Sequence, residues 1–321
     1  MDSIQPMTIE EESIRKWCEE ASEHEFHLDK SIYISDLLMG RDTPFGIKAN
    51  GDIFILLNEY LCDSPFKISD LIELTSAKSF VSESEGTSLY GCGLSISTNS
   101  IEEQVRTLAL INNILERDSN KSDLYSFFEL IRKAAQRSKN FYAPSLFAEL
   151  CVLKALQPQI PNIISCWKSS GQSIVDICSS SNSPEIEVKS TTNLDSRVHT
   201  LSLHQVRHFL EHRECLVASV QVHEDSEAGT SCKILCEELL KHEQQIQCSV
   251  GIKILTSYLL SYSSKPGFCQ MSFNEVLTKC SITYIRPDFS GLSIQTPPPW
   301  LNSASFEIDF SLMPSVTNVS L

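Results

Sequence analysis

Three ionisable residues stand in runs that should exclude them. Asp176 lies in Ile174–Ile177 (IVDI), and Glu187 and Lys189 lie in IEVK, which starts at Ile186. Both runs are otherwise β-branched, and Ser179–Pro184 between them is turn chemistry. Ser173–Thr192 therefore reads as two short strands joined by a turn. Strand side chains alternate, so Glu187 and Lys189 share one face while Ile186 and Val188 take the other. In a suitable register Asp176 joins the charged pair. The two carboxylates would then repel each other, and a divalent cation would neutralise them. Glu-Val-Lys by itself is ordinary: by composition about one chain in ten of this length should carry it. It gains weight from its apolar flanks, from Asp176 eleven residues upstream, and from the apolar helix FAELCVLKAL, which carries Glu149 ahead of both.

A helix Glu, then an Asp, then Glu-x-Lys resembles the PD-(D/E)XK nuclease superfamily, the restriction-endonuclease-like fold. SLFAEL is similar to that family's G-L-x-G-E-L helix. CWKSSGQSIVDI is similar to its W-x-G-P-x-x-x-x-D-F segment. IEVKSTT followed by LSLHQV is similar to I-E-V-K-T-T followed by a strand and Ser-x-x-Gln-Leu. The likeness is to the bacterial "PD-(D/E)XK motif protein" domain, spans residues 43–310 and is sharpest over 145–206. Ser145 stands where Gly is usual, Gly171-Gln172 replaces Gly-Pro, and Ile177 follows the Asp where Phe is common.

The resemblance implies a Mg²⁺-dependent DNA endonuclease, with Mn²⁺ as a substitute. Asp176, Glu187 and the Val188 carbonyl would hold the ion, a ligand count that suits Mg²⁺. Lys189 would orient or deprotonate the attacking water and stabilise transition-state charge. Glu149 would serve a second ion or the first ion's water shell, and Gln205 would stand beside the site. The resemblance also implies a phage-defence or restriction setting, with a methylase or ATPase as partner. Two other readings stand beside it: a binding or scaffold subunit that keeps the fold without cleaving, since fold alone does not establish function, and an unrelated enzyme. No nucleophile elbow, phosphate-cradling Gly loop or dinucleotide motif supports the last.

The elements that must position these residues follow from periodicity. Residues 1–30 read as an acidic amphipathic helix, with Thr8 as cap and Ile14, Trp17 and Cys18 on one stripe. IYISDLL, GIKANGDIFILLN and LYGCGLSIS read as strands, with Asn50-Gly51 a tight turn. Ser100-x-x-Glu103 caps the first of two helices. The expected organisation is an N-terminal antiparallel β-rich accessory domain (1–98), bridging helices (99–140), an α/β nuclease-like core with a mixed sheet flanked by helices (141–248), and a C-terminal helix and strands (249–321). In the core, HTLSL and LVASVQV read as further strands, and a helix from Thr230 through Lys241 follows. His204, His208 and His212 recur every fourth residue on one helix face. With no H-E-x-x-H and no third ligand visible in sequence, the row does not by itself make a zinc site.

The chain has 321 residues, of which 41% are apolar and 21% charged, enough for a sizeable core and for two domains. It contains no apolar run of membrane-spanning length, and its N-terminus is polar and acidic, so a cytoplasmic protein without membrane association is expected. The twelve cysteines include no C-x-x-C pair and suit reduced core thiols better than a disulfide framework or a zinc ribbon. A net charge of −15 opposes free-standing nucleic-acid binding. The cations near the hairpin are few: Lys168, Lys189, Arg197, Arg207 and Arg213. A partner that already holds DNA would remove the need for intrinsic affinity. The purified chain should therefore bind duplex and single-stranded DNA weakly and with steep salt dependence. A filter-binding titration at moderate salt checks this, and tight binding without a partner would contradict it.

Overall fold

Local pattern and long-range pairing meet most clearly at the β-turn Asn50-Gly51. In the computed structural model Gly51 takes φ 83°, and its N–H donates to Lys48 O at 2.9 Å. The structure describes residues 7–25, 31–34, 45–57, 66–67, 72–82, 88–115, 121–167, 174–178, 185–212, 214–289 and 304–316. The turn Ser179–Pro184, Lys168, Arg213 and the Pro-rich stretch 297–299 lie outside them. The fold is mixed α/β and divides into two units, residues 1–136 and 137–321.

The first unit opens with α1 (Met7–Glu23), which buries Ile14, Trp17, Cys18 and Ala21 along the predicted stripe. Six strands follow: β1 (Ser31–Ile34), β2 (Phe45–Lys48), β3 (Ile53–Leu57), β4 (Phe66–Lys67), β5 (Ile72–Ser82) and β6 (Ser88–Ile96). They form one sheet in the order β1-β2-β3-β6-β5-β4, antiparallel at each of these pairings. β1 also pairs in parallel with the end of β5, so the sheet closes on itself. The long strand β5, IELTSAKSFVS, has no clean two-residue period. A register shift between Thr75 and Lys78 accounts for this, because an irregular ladder moves side chains from one face to the other. α2 (Ile101–Leu115) starts where Ser100 Oγ accepts from Glu103 N–H at 3.2 Å. The Glu103 carboxylate reaches Asn99 N–H at 2.8 Å, one residue short of a closed capping box. α3 (Lys121–Arg137) buries Phe127, Phe128, Ile131, Ala134 and Ala135.

The second unit contains α4 (Ala143–Leu156), α5 (Ile163–Cys166), β7 (Ile186–Thr191), β8 (Val198–Ser202), α6 (Leu203–Glu211), β9 (Leu216–Gln221), β10 (Thr230–Ser231), α7 (Cys232–Gln245), α8 (Ser249–Tyr262), α9 (Pro266–Cys269), β11 (Ser272–Phe273), α10 (Glu275–Cys280), β12 (Thr283–Ile285) and β13 (Ser305–Asp309). Its central sheet runs β12-β9-β7. β7 and β9 are parallel, Glu187 opposite Val217 and Lys189 opposite Ser219, and β12 is antiparallel to β9. β9 is buried from Leu216 to Val220, as a central strand covered on both faces must be. β8 does not join this sheet but pairs with β13. α7 is capped by Ser231, whose Oγ accepts from Ile234 N–H at 3.3 Å, and it runs to Gln245, beyond the predicted Lys241.

The run Ile174–Ile177 is not a full strand. Ile177 alone pairs with Ile186, each donating its N–H to the other's carbonyl at 2.9 Å, and Trp167 bridges Ile177 in turn. The next antiparallel position would bring Val188 N–H to a backbone carbonyl. It donates instead to Asp176 Oδ2 at 2.9 Å. A side-chain acceptor thus takes the place of the ladder.

α4 is apolar almost all round and buried accordingly, from Ala143 through Leu156 except at Ser145, Lys154 and Ala155. Phe147, fully buried, packs against Phe273 with ring centroids 4.6 Å apart. No helix among the described residues is long and apolar enough to cross a membrane. Phe147→Ala should lower the unfolding free energy by about 3–5 kcal/mol, because a cavity replaces a buried ring; urea denaturation measures it.

Candidate active site

Alternation along β7 puts Glu187 and Lys189 on one face, as the residue pattern requires. Lys189 Nζ stands 3.0 Å from Glu187 Oε1. α6 supplies the third member through its own cap. Ser202 Oγ accepts from Gln205 N–H at 3.2 Å, and Gln205 Oε1 accepts from Ser202 N–H at 3.0 Å, a closed capping box. The same Oε1 lies 3.3 Å from Lys189 Nζ, while Gln205 Nε2 donates to Glu187 Oε1 at 2.6 Å. Two donors on one side and a carboxylate on the other fix which way the amide points. Both bonds to Glu187 fall on Oε1, which leaves Oε2 outside them.

Asp176 approaches from the side. Its carboxylate lies alongside β7, accepting from Val188 N–H. The N–H and C=O of one strand residue point the same way, so the Val188 carbonyl also faces Asp176. Glu149 comes from α4, buried, with Oε2 accepting from Trp167 Nε1 at 2.9 Å. Ser145 and Ser190 share a 3.0 Å hydroxyl hydrogen bond that ties α4 to β7. Glu149, Asp176, Glu187, Lys189 and Gln205 therefore all gather around β7.

The electrostatics are unbalanced. Glu187 is only 4% exposed, and its carboxyl is pushed up to about 8. Burial is the largest cause and the Asp176 charge the next; Glu149 adds to them, and Lys189 opposes. An ion pair at 3.0 Å would ordinarily hold a carboxyl low, but one ammonium does not offset burial beside two further carboxylates. Burial and the charges of Asp176 and Glu149 thus outweigh the Lys189 ammonium at Glu187. Asp176 and Glu187 offer carboxylate oxygens and Val188 a carbonyl at β7, the oxygen donors that a hard divalent cation such as Mg²⁺ takes.

Other residues of the site were not singled out by pattern. Trp167 positions Glu149 and stacks on Tyr258 at 4.3 Å; its only sequence signal is the Trp at the head of the CWKSSGQSIVDI segment. His199 Nε2 lies 2.8 Å from Ser219 Oγ, and burial, with the Lys189 and Arg197 charges, holds its imidazole down to about 4. Arg197, one of the few cations near the hairpin, is committed to structure. Its guanidinium donates to Ser219 O, Ser219 Oγ, Gln221 Oε1 and Ser281 O at 2.7–3.2 Å.

Comparison of the chain with protein-family models, with curated proteins and with solved structures finds no match.

Because the folded carboxyl of Glu187 titrates above its unfolded value, its contribution to stability is present in acid and lost as pH rises through about 8. Without divalent metal the protein should therefore lose thermal stability as pH rises from about 4.5 to about 8 and level off above that. A cation that binds the ionised form should restore it. Thermal melts with and without Mn²⁺ should show a larger increment at pH 8.5 than at pH 6.

Proposed function

We infer that the unit 137–321 is a metal-dependent nuclease of the PD-(D/E)XK type, cleaving DNA phosphodiesters as part of a restriction or phage-defence system. The observation that carries the reading is the gathering of Glu149, Asp176, Glu187 and Lys189 at β7, where burial and the neighbouring carboxylates push the Glu187 carboxyl up to about 8, in the order that the resemblance assigns to catalysis. Asp176, Glu187 and the Val188 carbonyl would hold Mg²⁺. When bound, the ion supplies Lewis acidity and a template for the scissile phosphate. Lys189, held at Glu187 and Gln205, would orient the attacking water and meet charge developing on the phosphoryl oxygens. Gln205 is a positioning residue, since it reaches the reaction through Glu187 and Lys189. Glu149, steadied by Trp167, would act on the water shell or on a second ion.

A second reading is favoured by the net charge of −15 and the engagement of Arg197: a subunit that binds a cation at this site but leaves cleavage to others. Both readings place DNA affinity with a partner, by hypothesis a methylase or ATPase.

Lys189→Ala and Asp176→Asn separate the two readings. Under the nuclease reading each should lower Mg²⁺-dependent plasmid nicking by at least about two orders of magnitude, at matched circular dichroism. Nicking equal to wild type in both variants would place the activity elsewhere. Mn²⁺ binding without nicking, even when partners present the DNA, would favour the second reading.

A further inference from the structure

The α6–β7 contact carries a second cluster of donor atoms, beyond Glu187. Glu185 immediately precedes β7 and, two residues from Glu187, falls on the same face. His208 Nε2 stands 2.6 Å from Glu185 Oε2, and the Cys215 thiol donates to that same oxygen at 3.0 Å. The three ligand atoms lie within 4.8 Å of one another. His212, at the C-cap of α6, packs against the His208 ring with centroids 4.4 Å apart. Backbone bonds hold the cluster together: Leu216 N–H donates to Glu185 O at 2.8 Å, and Cys215 N–H to His212 O at 3.0 Å.

The arrangement is wrong for nucleophilic catalysis. A thiol relay places imidazole between thiol and carboxylate. Here thiol and imidazole both converge on one carboxylate oxygen, and Cys215 is 2% exposed within an apolar cluster of Phe209, Val217 and Ile285. Convergence of a thiol, an imidazole and a carboxylate is instead an arrangement that ligands around an ion take. We propose that Glu185, His208 and Cys215 bind one zinc ion, separate from the Asp176–Glu187 site. Zinc takes sulfur, nitrogen and carboxylate oxygen in four-coordinate sites, and water would complete a set of three protein ligands. α6 contributes His208 and the turn after it Cys215, seven residues on. On binding, the thiol proton leaves to solvent and a zinc–thiolate bond takes its place.

The role follows from the place. Gln205 and His208 are three apart on α6, and Glu187 and Glu185 two apart on the strand. An ion joining His208 to Glu185 pins α6 to β7 and keeps Gln205 over Glu187. The zinc assignment does not rest on the nuclease reading.

The test uses the full chain, purified after exposure to zinc and dialysed. Plasma mass spectrometry should find one equivalent of zinc. Exchange with Co²⁺ should give a thiolate-to-cobalt charge-transfer band in the near ultraviolet, with tetrahedral d–d bands in the visible. Cys215→Ser should lose the charge-transfer band. Cys280→Ser, at an exposed thiol, and Asp176→Asn, in the other site, should keep it. Wild-type protein that retains no stoichiometric zinc and shows no thiolate–cobalt band overturns the proposal, as does a band that survives Cys215→Ser. Should that variant fail to fold, the wild-type spectrum alone decides.

Discussion

Burying the Glu187 carboxylate beside two others is the constraint on which the second unit turns. A carboxylate on a strand of the central sheet loses its water, and Asp176 and Glu149 raise the cost further. Against this stand the Lys189 ammonium and the Gln205 amide. Lys189 is placed by the two-residue period of β7, and Gln205 by the cap of α6. The cap matters because Gln205 Oε1 serves the helix terminus and the Lys189 ammonium together, leaving Nε2 to face the carboxylate. Helix initiation and site geometry are thus one set of hydrogen bonds.

The same helix–strand contact sets up the neighbouring cluster at Glu185. A three-residue step on a helix advances about 4.5 Å, and a two-residue step on a strand about 6.6 Å. These lengths are close enough for Gln205 to meet Glu187 while His208 meets Glu185. The direction is opposite, since His208 follows Gln205 whereas Glu185 precedes Glu187. One packing register therefore commits both groups of side chains, and a shift of α6 would disturb both at once.

Charge distribution limits how the site meets a polyanion. Arg197 points into Ser219, Gln221 and Ser281, joining β9 to the turn before β12. Lys189 is held inside the site. In a chain of net charge −15, neither cation forms part of an open basic groove, and counterion release on DNA binding needs such a groove.

Much of this was present in the order of residues. The shared face of Glu187 and Lys189, the buried helix bearing Glu149, the turn at Gly51 and the stripe of α1 all follow from local periodicity or backbone preference, which a single segment carries within itself. Gln205 came from likeness to a known motif, and its bonds then followed from Ser202 three residues before. The tertiary structure decided what depends on partners distant in sequence. Asp176 displaces a strand ladder that its β-branched neighbours favour, because its carboxylate satisfies Val188 N–H. β8 finds β13, Thr200 opposite Glu307, and stays out of the central sheet. β5 carries no clean alternation along the chain, because its ladder shifts register between Thr75 and Lys78. Trp167 meets Glu149 and Glu185 meets His208 and Cys215 only after the helices dock. Periodicity tells which face a side chain takes, but the group it meets there is set by register and packing between segments.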